Sequence, residues 1–123
     1  MTADDFRRLA LGFPGAVEGA HMGHPDFRAS GRIFATLNYP AAGWGMVKLQ
    51  PDQQELFTRA EPTAFVPVKG AWGRQGSTNV RLRSAKKTAV REALELAWQA
   101  AVAKPAGPAG KPRAPRGRRG RAA

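Results

Sequence analysis

Two histidines, His21 and His24, offer the most versatile chemistry in this sequence, and they lie close together in the chain. Imidazoles bind zinc, but a zinc site normally takes three or four protein ligands. Glu18 and Asp26 are the neighbouring acids that could complete such a set. We nevertheless expect no metal site here, and we expect His24, which precedes a proline, to form a hydrogen bond within a turn.

The other reactive side chains do not form a recognisable catalytic group. Catalysis usually requires a nucleophile beside a base, paired carboxylates or clustered metal ligands, whereas the acids of this chain are scattered. The glycine-rich segment 70–76 lacks the Lys-Ser or Lys-Thr ending of a phosphate-binding P-loop. The chain has no cysteine, which excludes disulfides and suits a reducing compartment. We therefore predict no catalytic residues, no cofactor and no enzymatic activity.

A set of basic and aromatic side chains is the strongest candidate for a binding surface. Segment 69–74 predicts a loop with two cations and a tryptophan, and residues 81 and 83 are spaced to share one face of a strand. Cations at 86 and 87 open the last predicted helix, where a phosphate would offset their unfavourable interaction with the helix dipole. Basic patches with aromatic or loop elements are typical of nucleic-acid binding. The predicted interface comprises Lys69, Trp72, Arg74, Arg81, Arg83, Lys86 and Lys87.

Positive charge is concentrated at the end of the chain. The net charge is +11, but residues 104–123 hold seven of the 20 Lys and Arg residues and no acid, which leaves the rest at +4. This segment contains only Ala, Gly, Pro, Lys and Arg, so no large apolar side chain offsets the entropy of ordering it. We therefore expect a disordered tail. Its charge would attract it to polyanions such as nucleic acid. Alternatively, the tail is a product of compositional bias, which the excess of Arg over Lys, 14 to 6, would fit. The basic residues are Lys104, Lys111, Arg113, Arg116, Arg118, Arg119 and Arg121, and the five arginines are predicted to contact nucleic acid.

The two clearest helical patterns lie at the ends of segment 1–103. Thr2 is a helix-capping residue, and acids follow it in the first turn, where the helix dipole favours negative charge. The apolar residues that follow have helical spacing, and Gly12 ends the pattern. Apolar residues also repeat at intervals of three and four through 86–103. This repeat predicts a long final helix with Trp98 buried against a sheet.

Between these helices, short apolar runs separated by Gly and Pro predict antiparallel strands. A short helix over 51–60 with Leu56 on its apolar side interrupts them, and an irregular stretch over 62–67 and a turn at 72–76 follow. We predict an α+β domain over 1–103 in which both terminal helices cover one face of the sheet. The other face is left for water or a partner. The predicted strands are 17–22, 27–30, 33–39, 44–50 and 78–83.

A series of short motifs also runs through most of segment 2–103 in a fixed order. The motifs are Gly23–Phe27, Gly31–Leu37, Tyr39, Val47–Leu49, Phe65–Val68, Trp72–Gly73 and Ala97–Trp98. In this order they resemble the MmcQ/YjbR family. The resemblance implies a fold similar to the frataxin-like CyaY domain, a helix-flanked antiparallel sheet, with a proposed double-wing mode of DNA binding. The basic tail lies outside the family pattern.

The favoured hypothesis is a small cytoplasmic DNA-binding protein that is largely independent of DNA sequence. The basic sheet face, the loop around Trp72 and the basic tail would contact phosphates. The alternative function is a non-enzymatic adaptor that binds a protein or a small ligand. For Trp72 itself, a second interpretation is that the indole covers the core instead of contacting DNA. The N-terminus lacks the regions of a signal peptide, and no run approaches the about 20 apolar residues of a membrane span. We therefore expect no membrane partner, and we predict no particular protein partner.

Overall fold

A computed structural model of the protein describes residues 1–103 except for the side chain of His21, and the predicted tail 104–123 lies outside the described residues. Within this described part, no helix combines the length and the apolar character needed to cross a membrane. The three predicted helices are confirmed. In chain order the elements are α1 (Ala3–Leu11), β1 (Val17–His21), β2 (His24–Ala29), β3 (Arg32–Leu37), β4 (Trp44–Lys48), α2 (Pro51–Ala60), β5 (Phe65–Pro67), α3 (Ala71–Arg74), β6 (Ser77–Arg81), a 3-10 turn (Leu82–Ser84) and α4 (Lys87–Ala103).

The strands form one antiparallel sheet in the order β1-β2-β3-β4-β6-β5, which confirms the predicted α+β class with a helix at each end. The β2–β3 hairpin turns at Ser30 and Gly31, whose positive φ angles of 53° and 75° are typical of a type I′ turn. β5 is absent from the sequence prediction. It has three residues and ends at Pro67, so it shows too little alternation to reveal a strand.

The strand register separates the sheet into a covered face and an open face, because residues paired directly across two strands point to the same side. One row of paired residues is fully buried: Phe27, Ala35, Val47 and Thr78. α1 and α4 pack on this side, and α2 lies beside α4. The adjacent row points the other way and defines the open face: Gly19, Asp26, Thr36, Met46, Asn79 and Val66.

α1 begins with a reciprocal hydrogen-bonded cap, as its sequence predicts. The Asp5 N–H donates to the Thr2 hydroxyl at 3.1 Å, and the Thr2 N–H donates to the Asp5 carboxylate at 2.9 Å. The bond from the Thr2 N–H holds the pKa of Asp5 below its ordinary value, and the Lys87 ammonium, 3.6 Å away, acts in the same direction. Phe6 and Ala10 are fully buried on the sheet-facing side of the helix.

We expect this cap to make part of the folding stability dependent on acid pH. Because the pKa of Asp5 is lowered by folding, its contribution is present above about pH 4 and is lost as the pH falls towards the folded pKa. In urea unfolding at about pH 6 and about pH 3, Asp5→Asn should therefore lose less stability on acidification than the wild type. Asp4→Asn is the control, since the Asp4 carboxylate bonds Arg7 outside the cap. An equal loss in Asp5→Asn and the wild type would contradict this assignment.

α4 contacts the sheet through small and medium-sized side chains, and Trp98 lies at the edge of this contact. The prediction that Trp98 is buried against the sheet is wrong, because the indole is half-buried and stacks on Phe13 with 5.6 Å between ring centroids. Its Nε1 donates to the Pro14 carbonyl oxygen at 2.9 Å. Four alanines at every fourth position let α4 approach the sheet, which leaves the bulky indole at the side. The buried residues of α4 are Ala89, Val90, Ala93, Leu94, Ala97 and Ala101.

α2 packs at the β5–β6 edge of the sheet through one aromatic side chain. Phe57 contacts Phe65 with 5.0 Å between ring centroids. The Gln54 side-chain amide donates to two backbone carbonyls, one in α3 and one in β6. Leu56, which the sequence pattern places on the apolar side, is instead 68% exposed. At the edge of the sheet a helix buries only a narrow stripe, and Leu56 lies beside that stripe.

Candidate nucleic-acid interface

The open face of the sheet carries cations on three of its strands. Arg28 lies on β2, Lys48 at the end of β4 and Arg81 at the end of β6. The strands of the described chain hold two acids, Glu18 and Asp26. Glu18 is on the covered side, where it accepts a hydrogen bond from an arginine of α1 at 3.0 Å. The other described acids lie on or directly after helices, so the open face has a net positive charge.

Asp26 is fully buried, and Arg28 neutralises it. The guanidinium binds both carboxylate oxygens, with 2.9 Å from Nε to Oδ1 and 3.1 Å from Nη2 to Oδ2. These hydrogen bonds, together with the charge of Asp26, raise the pKa of Arg28. Gly19 leaves room for the pair, since a Cβ there would lie 3.0 Å from Asp26 Oδ1. Asp26, a candidate metal ligand in the sequence, is therefore part of an ion pair, and the spacing of two along one strand already places both of its side chains on one face.

At one end of the open face, Arg81 lies over Trp44. The guanidinium carbon is 4.5 Å from the indole centroid, which is within the range of a cation–π interaction. At the same end His24 and Tyr39 meet edge to face, with 5.2 Å between ring centroids. The ring of His24 therefore packs on an aromatic side chain. Among residues 1–103, no three or more His, Cys, Asp or Glu side chains are grouped so that they could hold a metal ion.

At the opposite end, Trp72 extends from α3 into solvent. Its side chain is 61% exposed, and Lys48 Nζ lies 5.6 Å from the ring centroid. The interpretation of Trp72 as a cover for the core is therefore wrong. The first residues of the predicted turn 72–76 belong to the short helix α3. The turn ends at Gly76, which has a φ of 112° and lies so close to the β4–α2 connection that a Cβ at this position would overlap a backbone carbonyl. Lys69 and Arg74 are exposed beside Trp72.

The interface residues predicted from the sequence are divided between the two ends of β6. Segment 69–74 precedes the strand, whereas Arg81 ends it. Arg83 lies in the 3-10 turn that follows, so the prediction that Arg81 and Arg83 share a strand face is wrong. β6 extends over four residue steps, from Ser77 to Arg81, which span about 13 Å and separate the two groups.

Lys86 and Lys87 lie at the same end as Arg83, at the start of α4. Lys86 is exposed, and Lys87 Nζ is 3.6 Å from Asp5 Oδ1. A carboxylate of α1 therefore already supplies the negative charge that the sequence analysis expects from a phosphate. These two lysines do not join the surface around Trp72.

A cleft of about 500 Å³ lies at the Trp72 end, where the β2–β3 hairpin, the end of β4 and the start of β6 meet the last turns of α4. No acid lines it. Ala101 lines the cleft, and α4 ends two residues later at Ala103. The cations of the cleft are absent from the interface predicted from the sequence, because only the hairpin and the end of β4 bring them together. The polar side chains of the lining are Arg28, Arg32, Lys48, Gln50, Gln75 and Ser77.

The predicted tail contacts lie outside the described residues: Arg113, Arg116, Arg118, Arg119 and Arg121.

Fold and surface together define an α+β domain whose sheet is covered by helices on one side and basic on the other. The sequence model of the YjbR family matches residues 11–100, and the chain therefore belongs to the YjbR family, as its motifs predict. Among solved structures it is similar to protein DR2400 of Deinococcus radiodurans, described by the family-model domain DUF419, with a TM-score of 0.71. The two are 18% identical, over 84% of this chain and 80% of that chain, so the likeness shows the fold alone. No curated protein matches the chain.

Proposed function

We propose that the protein is a cytoplasmic DNA-binding protein without enzymatic activity, which contacts duplex phosphates largely independently of base sequence. The charge asymmetry of the sheet carries this proposal. Lys48 and Arg81 lie on the open face. Asp26 is the acid that the described strands place on this face, and Arg28 already neutralises it. Phosphate contacts position a protein on DNA without reading its bases, and such a surface needs only accessible cations.

Membership of the YjbR family adds to the proposal. The family resemblance implies a CyaY-like architecture and a double-wing mode of DNA binding, and we extend both to this chain. The uncovered sheet face fits that expectation, because a surface that no helix of the described chain occupies is available to a partner as large as a duplex. The tail strengthens the same proposal, since it carries seven cations and no acid.

A matched pair of double substitutions tests whether the open face binds DNA. Lys48→Gln/Arg81→Gln removes two charges from the open face, and Arg59→Gln/Arg91→Gln removes two from exposed positions of α2 and α4. We expect fluorescence anisotropy to show weaker binding for the first variant. Its slope of log K against log salt should become shallower by about 0.9 for each phosphate that the variant no longer neutralises. The decrease in affinity should be equal for two unrelated duplexes of the same length.

The helix-side variant should bind like the wild type, and both variants should remain within about 1 kcal/mol of its free energy of unfolding. Equal weakening by the two variants would contradict the assignment to the open face, because net charge alone would then govern the affinity. A full chain without any salt-dependent DNA binding would refute the proposed function and favour the non-enzymatic adaptor.

A further inference from the structure

Contacts with duplex phosphates leave the exposure of Trp72 unexplained. The other two tryptophans are half-buried, one beneath Arg81 and the other stacked on Phe13. Trp72 instead keeps 61% of its surface in solvent at the edge of the open face. An exposed indole beside a cation is a typical platform for a nucleic-acid base, because every base has a planar π face.

The cleft places a site for phosphate directly beside this platform. Lys48 belongs to both, since its Nζ lies 5.6 Å from the Trp72 ring centroid and its side chain lines the cleft. Arg28 and Arg32 line the same cleft, and Arg28 is already bound to Asp26. An aromatic ring next to a cationic cleft has the layout of one nucleotide, in which a planar base is joined through a sugar to a phosphate.

The accessibility of the base decides which nucleic acid fits this arrangement. In a duplex the faces of the bases are stacked on their neighbours, so Trp72 would reach only backbone and groove edges. In a single strand the bases are unpaired and stack readily on aromatic side chains, while a basic groove follows the phosphates.

We propose that the Trp72 end of the sheet binds single-stranded DNA, with an unpaired base stacked on Trp72 and the adjoining phosphates held by Arg32 and Lys48 in the cleft, which continues from the open face to the last turns of α4. This inference rests on the proposed DNA binding and names the preferred form of the DNA. Recognition is tolerant of base sequence, because stacking uses the face of a base and not its hydrogen-bonding edge.

The test measures the fluorescence anisotropy of the full chain with three labelled ligands of equal length, about 12 nucleotides. They are oligothymidylate, a mixed-sequence duplex and an abasic strand that keeps only sugar and phosphate. We expect the wild type to prefer oligothymidylate over the duplex. Trp72→Ala should weaken oligothymidylate binding by about tenfold, the size of one stacked base, and should leave the duplex and the abasic strand within about twofold.

Two further variants locate the effect. Trp72→Phe should recover most of the affinity, because it keeps an aromatic face. Tyr39→Ala removes a comparably exposed aromatic ring, 56% exposed, from the opposite end of the open face, and it should bind oligothymidylate like the wild type. An equal decrease in affinity for Tyr39→Ala and Trp72→Ala would overturn the assignment to this end.

Three results separate failure of this inference from failure of the proposed function. If the duplex binds and Trp72→Ala leaves oligothymidylate unaffected, or weakens the abasic strand equally, the stacking site is refuted and the DNA-binding function stands. If none of the three ligands binds in a salt-dependent way, both fail. Thymidine monophosphate tests a free nucleotide as the ligand. Displacement of oligothymidylate by this nucleotide at concentrations at which inorganic phosphate has no effect would overturn the single-strand assignment.

Discussion

Removal of residues 104–123 is expected to cost the protein most of its duplex affinity at low salt and to flatten the salt dependence of binding. The segment holds seven cations and no acid. If about six of them bind phosphates, they steepen the slope of log K against log salt by about 5, so that affinity falls by three to four decades between about 50 and about 200 mM salt. The truncated chain should lack this contribution and keep only the weaker, shallower binding of the folded domain.

Two variants of the full chain show whether charge is the cause. A tail with the same composition in scrambled order should bind like the wild type, because counterion release depends on the number of phosphates neutralised. A tail of unchanged length with glutamine at every arginine should resemble the truncation. All variants should unfold within about 0.5 kcal/mol of the wild type, since the tail contains no large apolar side chain that could contribute to the core. A salt slope that truncation leaves unchanged would show that the tail does not contribute to binding.

Phe6→Ala is expected to cause a comparably large effect on stability. Phe6 is fully buried, and its ring lies between α1 and the sheet, with 6.1 Å to the ring centroid of Phe27. A Cβ at Gly45 of β4 would lie 2.8 Å from the Phe6 ring, which shows how closely the sheet approaches it. Truncation to alanine removes this packing and leaves a cavity, so the free energy of unfolding should fall by about 3–5 kcal/mol. That is a large fraction of the about 5–15 kcal/mol that stabilises a typical domain.

Leu56→Ala is the matched control for this decrease. It also removes a large apolar side chain from a helix, but Leu56 is 68% exposed and should cost about 0.5 kcal/mol or less. Urea unfolding followed by circular dichroism measures both variants. A small effect of Phe6→Ala, or an equal effect of the two substitutions, would mean that α1 does not pack on the sheet through Phe6.

The helices and most strands could be predicted because their signals are local. Thr2 and the acids after it specify the start of α1 through hydrogen bonds within a single turn. The apolar repeat of 86–103 specifies α4, and the glycine of the Ser30–Gly31 pair favours the turn between β2 and β3. β5 carries no comparable signal, since its three residues form a strand only because β6 lies beside them.

The degree of burial along these helices was less predictable. A helical period shows which residues share a face, but the width of the buried stripe depends on the surface that the helix meets. Trp98 and Leu56 both lie on predicted apolar faces, and both are displaced to the margin of the contact. In α4 four alanines are buried among the residues that face the core, whereas α2 contacts the sheet at its β5–β6 edge.

The order of the elements other than β5 and α3, the family and the basic end of the chain could be predicted from the sequence, because these properties depend on residue types and short-range spacing. Which cations share a surface depends on the tertiary structure. Segments 69–74 and 81–87 are close in sequence, but β6 runs between them as an extended strand and carries them to opposite ends of the sheet. Lys48 and Arg32 are distant from Trp72 in sequence, yet strand pairing and the return of α4 bring them to the same end.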